Sequence, residues 1–318
     1  AVKHFGVPTF TSGIFRTWLG MGDLTGALRL SGILMLLIFS LLIFEKKLRS
    51  RSKYHEILNS KPSSEKKLLN KNKSIIAICC CSIPLVLGFF IPVSRMISWA
   101  WISRNSASEL DGIELIGNSL GLATITSLTI VAIATFLVFS ARYYKSAITY
   151  FSNRLAILGY SIPGAVIAIG ILLFVAQVNH LTNYVLTGSL YLLIFAYIVR
   201  YLAVAWQPIN AGIESNCDSL NHASQTLGSS AYTSLTRVNL PLIKDTIITA
   251  GLLVFIDTVK ELPLTLILRP FNFETLSTAT FDLSSQAQIA ESSIPALYMI
   301  MIVLAPLIFL NYRLENIE

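Results

Sequence analysis

Charged residues are scarce in this chain. Asp, Glu, Lys and Arg make up 13% of its 318 residues, whereas hydrophobic residues make up 54%. A soluble globular domain carries about 25% charged residues. The composition therefore excludes an ordinary soluble protein and favours one that lies largely in lipid.

The residues that build metal and redox sites are also few. The four cysteines are Cys79 to Cys81, adjacent inside an apolar run and pointing to different faces of a helix, and Cys217 in a polar loop. The four histidines all fall in predicted loops: His4, His55, His180 and His222. This argues against an intramembrane enzyme with a metal or Ser/His centre. We predict no catalytic residue, no metal ligand and no cofactor bound by this chain.

The chain lacks a Gly-x-x-x-x-Gly-Lys-Ser/Thr loop, which cradles nucleotide phosphates in many ATPases. We therefore expect no ATP hydrolysis by the chain itself. It also opens at Ala1 without a signal-peptide pattern, although the charge distribution below puts this end outside the cell. The simplest expectation is that it is the C-terminal part of a longer protein.

Seven apolar runs approach the length of about 20 residues that crosses a bilayer. They are continuous rather than alternating, which predicts helices and not the strands of a membrane barrel. The predicted fold class is all-α transmembrane, with spans near 25–44, 75–94, 117–140, 155–177, 184–206, 246–268 and 293–311.

The net charge of +7 does not indicate nucleic-acid binding, because it is concentrated in one linker. Residues 45–74 hold ten Lys and Arg against three Glu, which is typical of a cytoplasmic loop. With alternating sides, the cytoplasmic segments 45–74, 141–154, 207–245 and 312–318 hold 16 Lys and Arg, and the outer segments hold five. The prediction is a multi-pass membrane protein with its N-terminus outside and its C-terminus in the cytoplasm; the family resemblance described below implies the bacterial plasma (inner) membrane.

One polar loop, 207–245, carries a spaced motif: His222-Ala223-Ser224, Gly228, and Val238-Asn239-Leu240-Pro241. It resembles the ATPase-coupling loop of binding-protein-dependent ABC importer permeases, whose pattern is Glu-Ala-Ala, three residues, Gly, nine residues, Ile-x-Leu-Pro. Ala223, Gly228, Leu240 and Pro241 match, Val238 is a conservative match, and His222 and Ser224 depart.

The coupling loop is predicted to form two short helices, Ser219 to Leu227 and Ser230 to Arg237. Gly228 would end the first helix at positive φ. Leu240 and Pro241 would turn the chain into the next span. A loop of this shape fits a groove on an ATPase, and His222 in place of Glu changes one polar contact there.

Other segments resemble iron(III)-type permeases, which carry two six-span halves on one chain. They are 5–16, 161–164, 200–205, 260–263 and 268–276. The resemblance implies three regions. Residues 1–44 would be an outer segment and the last span of a first half. Residues 45–74 would be the basic linker, and 75–318 a six-span permease domain of the type I fold.

The function implied by this resemblance is that of the membrane subunit of an ATP-driven ABC importer, with iron(III) as the predicted substrate. Thiamine, a polyamine or another small solute remain alternatives. The implied partners are a cytoplasmic ATPase dimer that uses ATP and Mg²⁺, a periplasmic or surface-tethered solute-binding protein, and the missing first half or a second copy. An ATP-independent carrier or channel is the alternative from another class, and ATPase binding distinguishes the two.

The run 246–268 contains Asp257, Lys260 and Glu261, and helical spacing puts Asp257 on the same face as the other two. Charges at membrane depth face protein or a water-filled path. Two interpretations stay open: a translocation path or gate, loosened by Pro263, and a structural salt bridge of Lys260.

Two further expectations concern helix contacts. Small residues at Gly117 and Gly121, and at Gly164 and Ala168, predict close helix approach in lipid. Arg200 is predicted near the cytoplasmic end of its span, with its side chain reaching the interface.

Overall fold

The computed structural model describes residues 8–51, 70–104, 111–143, 146–182, 186–216 and 228–315, together with Ser224 and Thr226. Every regular element in these residues is helical. Six of the helices are long and apolar enough to cross a membrane, within Leu24–Glu45, Asn72–Ser103, Gly112–Arg142, Gly164–Leu181, Leu190–Glu214 and Ile289–Tyr312. The predicted all-α transmembrane class is therefore confirmed.

The N-terminal part forms α1 (Phe10–Phe15), a π-helical turn (Arg16–Gly20) and the long α2 (Leu24–Arg51). Asp23 precedes α2, and its carboxylate accepts a hydrogen bond of 2.9 Å from the Gly26 N–H. This hydrogen bond favours the ionised carboxylate and lowers the pKa of Asp23 below its usual range. The start of α2 is thus held by a charged cap.

The next helix is continuous but not uniform. It consists of α3 (Lys71–Leu85), a π-helical turn (Val86–Phe90) and α4 (Ile91–Ser103). The π turn follows Pro84, which lacks the N–H that an α-helix needs at that point. Most side chains of the helix Lys71–Ser103 are exposed. Its last part, α4, packs against the last helix of the chain, where the Ser103 hydroxyl donates to the Ala290 carbonyl over 3.1 Å.

The core is built by three long helices: α5 (Gly112–Tyr143), α8 (Leu190–Asn216) and the helix after the coupling loop, α11 (Lys244–Val259). The Ser127 hydroxyl donates to the Gly251 carbonyl over 2.6 Å, which ties α5 to α11. Fully buried side chains from all three helices meet in this core, among them Ile130, Leu193 and Val254. These helices hold residues 228–243 at one end of the bundle, which is called the coupling end.

Two predicted spans are interrupted. The predicted span 155–177 is divided into α6 (Ala147–Leu158), a 3₁₀ turn (Gly159–Ser161) and α7 (Gly164–Thr182). The predicted span 246–268 is divided into α11 and α12 (Pro263–Leu268). The prediction that these two spans are continuous helices was wrong, because hydropathy does not register the backbone breaks that proline and glycine permit.

The chain closes with α13 (Leu276–Ser285) and α14 (Ile289–Glu315), which pack against each other. The N-terminal part joins the same core, since α1 and α2 contact α7 and bury Ile14 and Ala27 completely. The residues predicted to be the remnant of a first half therefore lie directly against the remainder of the chain.

Candidate functional site

The coupling segment comprises Gly228–Ile243 with Ser224 and Thr226; His222, Ala223 and Cys217 lie outside the described residues. Ser224 is helical, and its carbonyl accepts from the Ser229 N–H over 3.0 Å. Gly228 has φ +77°, the left-handed conformation expected for a residue that ends a helix.

Two buried serines fasten the coupling segment. The hydroxyl groups of Ser224 and Ser234 lie 2.9 Å apart, and both side chains are almost fully inaccessible. Ser224 departs from the Glu-Ala-Ala pattern, and this hydrogen bond gives its hydroxyl a structural use. Ser234 was missed in the sequence, since a polar pair ten residues apart leaves no periodic signal.

The second predicted helix of the loop is longer and less regular than expected. It comprises α9 (Ala231–Ser234), a π turn (Leu235–Asn239) and α10 (Leu240–Leu242). Pro241 lies in α10, directly after the π turn. The backbone leaves helical geometry at the buried Ile243, which corrects the prediction that Leu240 and Pro241 make the turn. Val238 and Leu240 are half-buried.

The charged residues of the former span 246–268 do not share a face. The α11 helix ends at Val259, and Asp257 pairs with Lys260 over 2.7 Å. The Lys260 side chain is 58% exposed, whereas that of Glu261 is 6% exposed. The expectation that Asp257 lies beside both residues was wrong for Glu261, because the chain leaves the helix before that residue.

Pro263 lies in the first turn of α12, and the break before it is complete rather than a loosened helix. Glu261 caps the new helix, since its Oε1 accepts from the Leu264 N–H over 3.1 Å. The Glu261 carbonyl accepts from the Thr265 and Ser277 hydroxyls over 2.9 and 2.8 Å. The polar groups freed by the break thus find partners inside the protein, as a low-dielectric surrounding requires.

The Glu261 carboxylate has two further partners on α8. The Tyr201 hydroxyl donates to its Oε2 over 2.6 Å, and Arg200 Nε lies 3.5 Å from the same oxygen. Arg200 Nη1 donates to the Ile162 carbonyl over 3.1 Å. Arg200 therefore does not reach the membrane interface, contrary to expectation. Its helix continues to Asn216, which leaves Arg200 in the interior with a side chain 19% exposed.

Gly164 and Gly159 permit the close approach of these groups. A Cβ at Gly164 would lie 2.7 Å from Glu261 Oε1 and 2.8 Å from Arg200 Nη1, and one at Gly159 would overlap the Val199 carbonyl. The small-residue prediction is thus confirmed at Gly164. At Gly117 and Gly121 no atom lies within 4 Å of an added Cβ, so these two glycines make no close helix contact among the described residues.

The end of the bundle away from the coupling segment carries a braced turn between α12 and α13. Arg269 pairs with Asp282 over 3.0 Å and with Glu274 over 3.4 Å. Asn118 of α5 donates to the Glu274 carbonyl over 3.1 Å. Phe271, at the tip, is 93% exposed. Because aromatic residues are enriched at interface hot spots, Phe271 is a candidate contact point for another protein.

Among the described residues, six long apolar helices, with breaks between α6 and α7 and between α11 and α12, define a multi-pass membrane protein with polar groups at its helix breaks. The chain belongs to the family of binding-protein-dependent transport system inner membrane components, which matches residues 131–317. That region contains the coupling segment and both breaks.

Curated relatives point to the same class of protein. The chain is 29% identical over 309 residues, 95% of its length, to the Fe(3+)-transport system permease protein FbpB 2 of Haemophilus influenzae. It is 26% identical over 157 residues, 49% of its length, to a putative 2-aminoethylphosphonate transport system permease protein PhnV of Salmonella paratyphi A. The chain covers 60% of the first relative and 56% of the second.

Solved structures support the fold. A bacterial ABC transporter involved in the import of the acidic polysaccharide alginate matches 77% of this chain and 96% of its own, with a TM-score of 0.63 and 16% identity. The same kind of transporter, in complex with an alginate pentasaccharide-bound periplasmic protein, matches with a TM-score of 0.62 and 15% identity. The chain therefore has the fold of an ABC importer permease.

Proposed function

We propose that this chain is the membrane-spanning part of an ATP-driven ABC importer that moves iron(III) from an external binding protein into the cytoplasm. The observation that carries the proposal is the family match over the coupling segment. Iron(III) is favoured because the relative named for Fe(3+) transport aligns with 95% of the chain, whereas the phosphonate relative aligns with 49%.

The coupling segment is the proposed ATPase contact. It lies between the ends of α8 and α11, two helices of the core, so a displacement of the segment acts on both. ATP-driven closure of a cytoplasmic ATPase pair would pull the segment and open the bundle outward, and hydrolysis would reset it. Residues 217–223, which contain His222 and Ala223, complete this contact in the proposal.

Lys260 marks the face of the chain that lines the proposed path. An ammonium group exposed at membrane depth is expensive in lipid and is found against protein or water. Lys260 is exposed beside Asp257 at the end of a broken helix. This face is therefore proposed to meet the other permease half, or a second copy, across a water-filled path with Asp257 and Lys260 in its wall.

The turn with Phe271 is the proposed contact for the external binding protein. In the proposal it lies on the opposite membrane side from the coupling segment, from which α11 and α12 separate it along the chain. The proposed orientation has the N-terminus of this chain outside and its C-terminus in the cytoplasm of a bacterial cell. Since the chain covers 60% of its first relative, we expect the isolated chain to be inactive without a further membrane half.

The test is uptake of labelled iron(III) by cells that lack the gene and carry the full-length protein, either wild type or Gly228→Asp. The matched control is Gly188→Asp, because Gly188 also has positive φ (+73°) and nothing within 4 Å of an added Cβ, but lies in the turn just before the start of α8, away from the coupling segment. We expect Gly228→Asp to abolish uptake and Gly188→Asp to retain most of it.

Labelled thiamine and 2-aminoethylphosphonate are measured alongside iron. If Gly228→Asp stops the uptake of one of these and leaves iron unchanged, the importer stands and iron is wrong. If the purified wild-type protein binds no ATPase, the importer itself is wrong and the ATP-independent carrier replaces it.

A further inference from the structure

The two helix breaks lie side by side. One separates α6 from α7 and contains Gly159–Pro163; the other separates α11 from α12 and contains Lys260–Leu262. Gly164 follows the first break directly, and its missing Cβ leaves room for Glu261 of the second. Two spans that are far apart in sequence thus break at one place.

Arg200 belongs to neither broken span and contacts both, by a hydrogen bond to the first break and by an ion pair to the second. Its Nη1 donates to the Ile162 carbonyl in the first break over 3.1 Å, and its Nε lies 3.5 Å from Glu261 Oε2 in the second. It stands on α8, which has no interruption between Leu190 and Asn216. A continuous helix therefore holds both breaks through one guanidinium group.

The groups in this junction depend on one another. A buried ion that loses its partner is strongly destabilised, whereas a pair that stays together is not. A backbone carbonyl freed by a break also needs a donor at membrane depth. If either break shifted alone, Arg200 would lose the Ile162 carbonyl or the Glu261 carboxylate. A shift of both breaks together with α8 keeps every partner.

The helices that meet here connect opposite ends of the bundle. The helices α6 and α11 run toward the coupling end, and α11 begins directly after the coupling segment. Away from it run α7 and α12, and α13 is attached through the hydrogen bond from the Ser277 hydroxyl to the Glu261 carbonyl. The junction is thus the point where displacement at one end can reach the other.

We propose that Arg200 and Glu261 are positioning residues that join the two helix breaks, so that the segments on either side move as one unit. The role of this joint in a transport cycle rests on the proposed function; the joint itself does not, and the first test below needs no substrate or ATPase.

The first test is hydrogen exchange of the purified full-length protein in lipid nanodiscs, compared between wild type and Glu261→Gln. The reporters are the amides of Val166 and Ile167, which bond to the Pro163 carbonyl after the first break, and of Leu266, which bonds to the Leu262 carbonyl after the second. Glu261→Gln should raise exchange about tenfold or more at all three amides, although Glu261 belongs to the second break alone.

The matched control is Arg142→Gln, which removes another 3.5 Å ion pair, with Glu214, at the coupling end. Its exchange at the reporters should equal that of the wild type. Faster exchange at Leu266 with unchanged Val166 and Ile167 in Glu261→Gln would show that the breaks are independent and overturn the proposal. If Glu261→Gln does not fold, Gly164→Ala is used to perturb the junction from the first break. Faster exchange at the Leu266 amide, after the second break, would then support the proposal, and unchanged exchange there would overturn it.

The second test uses the complete transporter with its ATPase and the double variant R200M/E261M, in which neither charge is left without its partner. We expect ATP hydrolysis to persist while substrate imported per ATP falls about tenfold or more. Import per ATP equal to that of the wild type would overturn the role of the joint in transport. Failure of the wild-type protein to bind an ATPase would refute the proposed function instead, with the exchange result still deciding the joint.

Discussion

Alanine at Gly164 should destabilise the protein, and the structure provides its own control in Gly170 on the same helix. An added Cβ at Gly164 would lie 2.7 Å from Glu261 Oε1 and 2.8 Å from Arg200 Nη1. Neither atom yields easily: the carboxylate is held by Tyr201 and the guanidinium by the Ile162 carbonyl. At Gly170 no atom lies within 4 Å of an added Cβ.

The magnitude follows from two opposing effects. Forcing an extra methyl group into a filled site costs about 1–3 kcal/mol. Alanine in place of a helical glycine gains about 0.5–1 kcal/mol, and this gain applies to both positions, less so at Gly164 because it begins the helix. The difference between the two variants is therefore mainly the steric cost, increased by the smaller helix-propensity gain at Gly164, and Gly164→Ala should be less stable than Gly170→Ala by about 1–3 kcal/mol.

The assay is reversible unfolding of both variants in mixed detergent micelles, followed by helical circular dichroism, with wild type alongside. Gly170→Ala should equal or exceed the wild type in free energy of unfolding. Equal stabilities of the two variants, within about 0.5 kcal/mol, would refute the close approach of Gly164 to the Arg200–Glu261 pair.

Substitutions at three positions test the proposed contacts. Gly228→Ala should strain the coupling segment by about 1–2 kcal/mol, which lowers the affinity for the ATPase about 5- to 30-fold. Gly228→Asn should lower this affinity less, because Asn tolerates positive φ. Equal losses of affinity in the two variants would contradict a role for the backbone conformation. Lys260→Arg, which keeps a cation beside Asp257, should retain most uptake, whereas Lys260→Met should lose it at unchanged protein level; equal uptake would remove Lys260 from the path. Phe271→Ala should leave unfolding unchanged but weaken external binding-protein affinity by about 1 kcal/mol or more in a nanodisc binding assay, and unaltered affinity would exclude this turn from the contact.

Apolar run length and loop chemistry were readable from the sequence. The runs predicted where most long helices lie, and the residues around Gly228 predicted a helix end at positive φ, which the structure has. Both properties are local, because they depend on residues that are neighbours in the chain.

The junction of the two helix breaks could not be predicted from the sequence, because it depends on residues that are far apart in the chain. Arg200 and Glu261 are 61 positions apart, and the assumption of continuous helix between Asp257 and Glu261 placed the carboxylate on the wrong side. One signal was present in the sequence. Ile162, before Pro163, is extended at φ −90° and ψ 131°, as the steric effect of a following proline predicts.

Proline alone does not explain where these helices break. Pro208 in α8 and Pro295 and Pro306 in α14 lie inside helices that continue through them. A proline kink leaves one carbonyl without its N–H, and neighbouring turns absorb this.

A full break releases several backbone groups at once, which lipid cannot satisfy. Near Pro163 and Pro263 polar side chains bond to the freed backbone groups. The guanidinium of Arg200 donates to the Ile162 carbonyl, and the hydroxyls of Thr265 and Ser277 donate to the Glu261 carbonyl. The position of a break thus depends on polar side chains that can form hydrogen bonds with the freed backbone groups. For this reason the two breaks share one place, and removal of Arg200 should affect both.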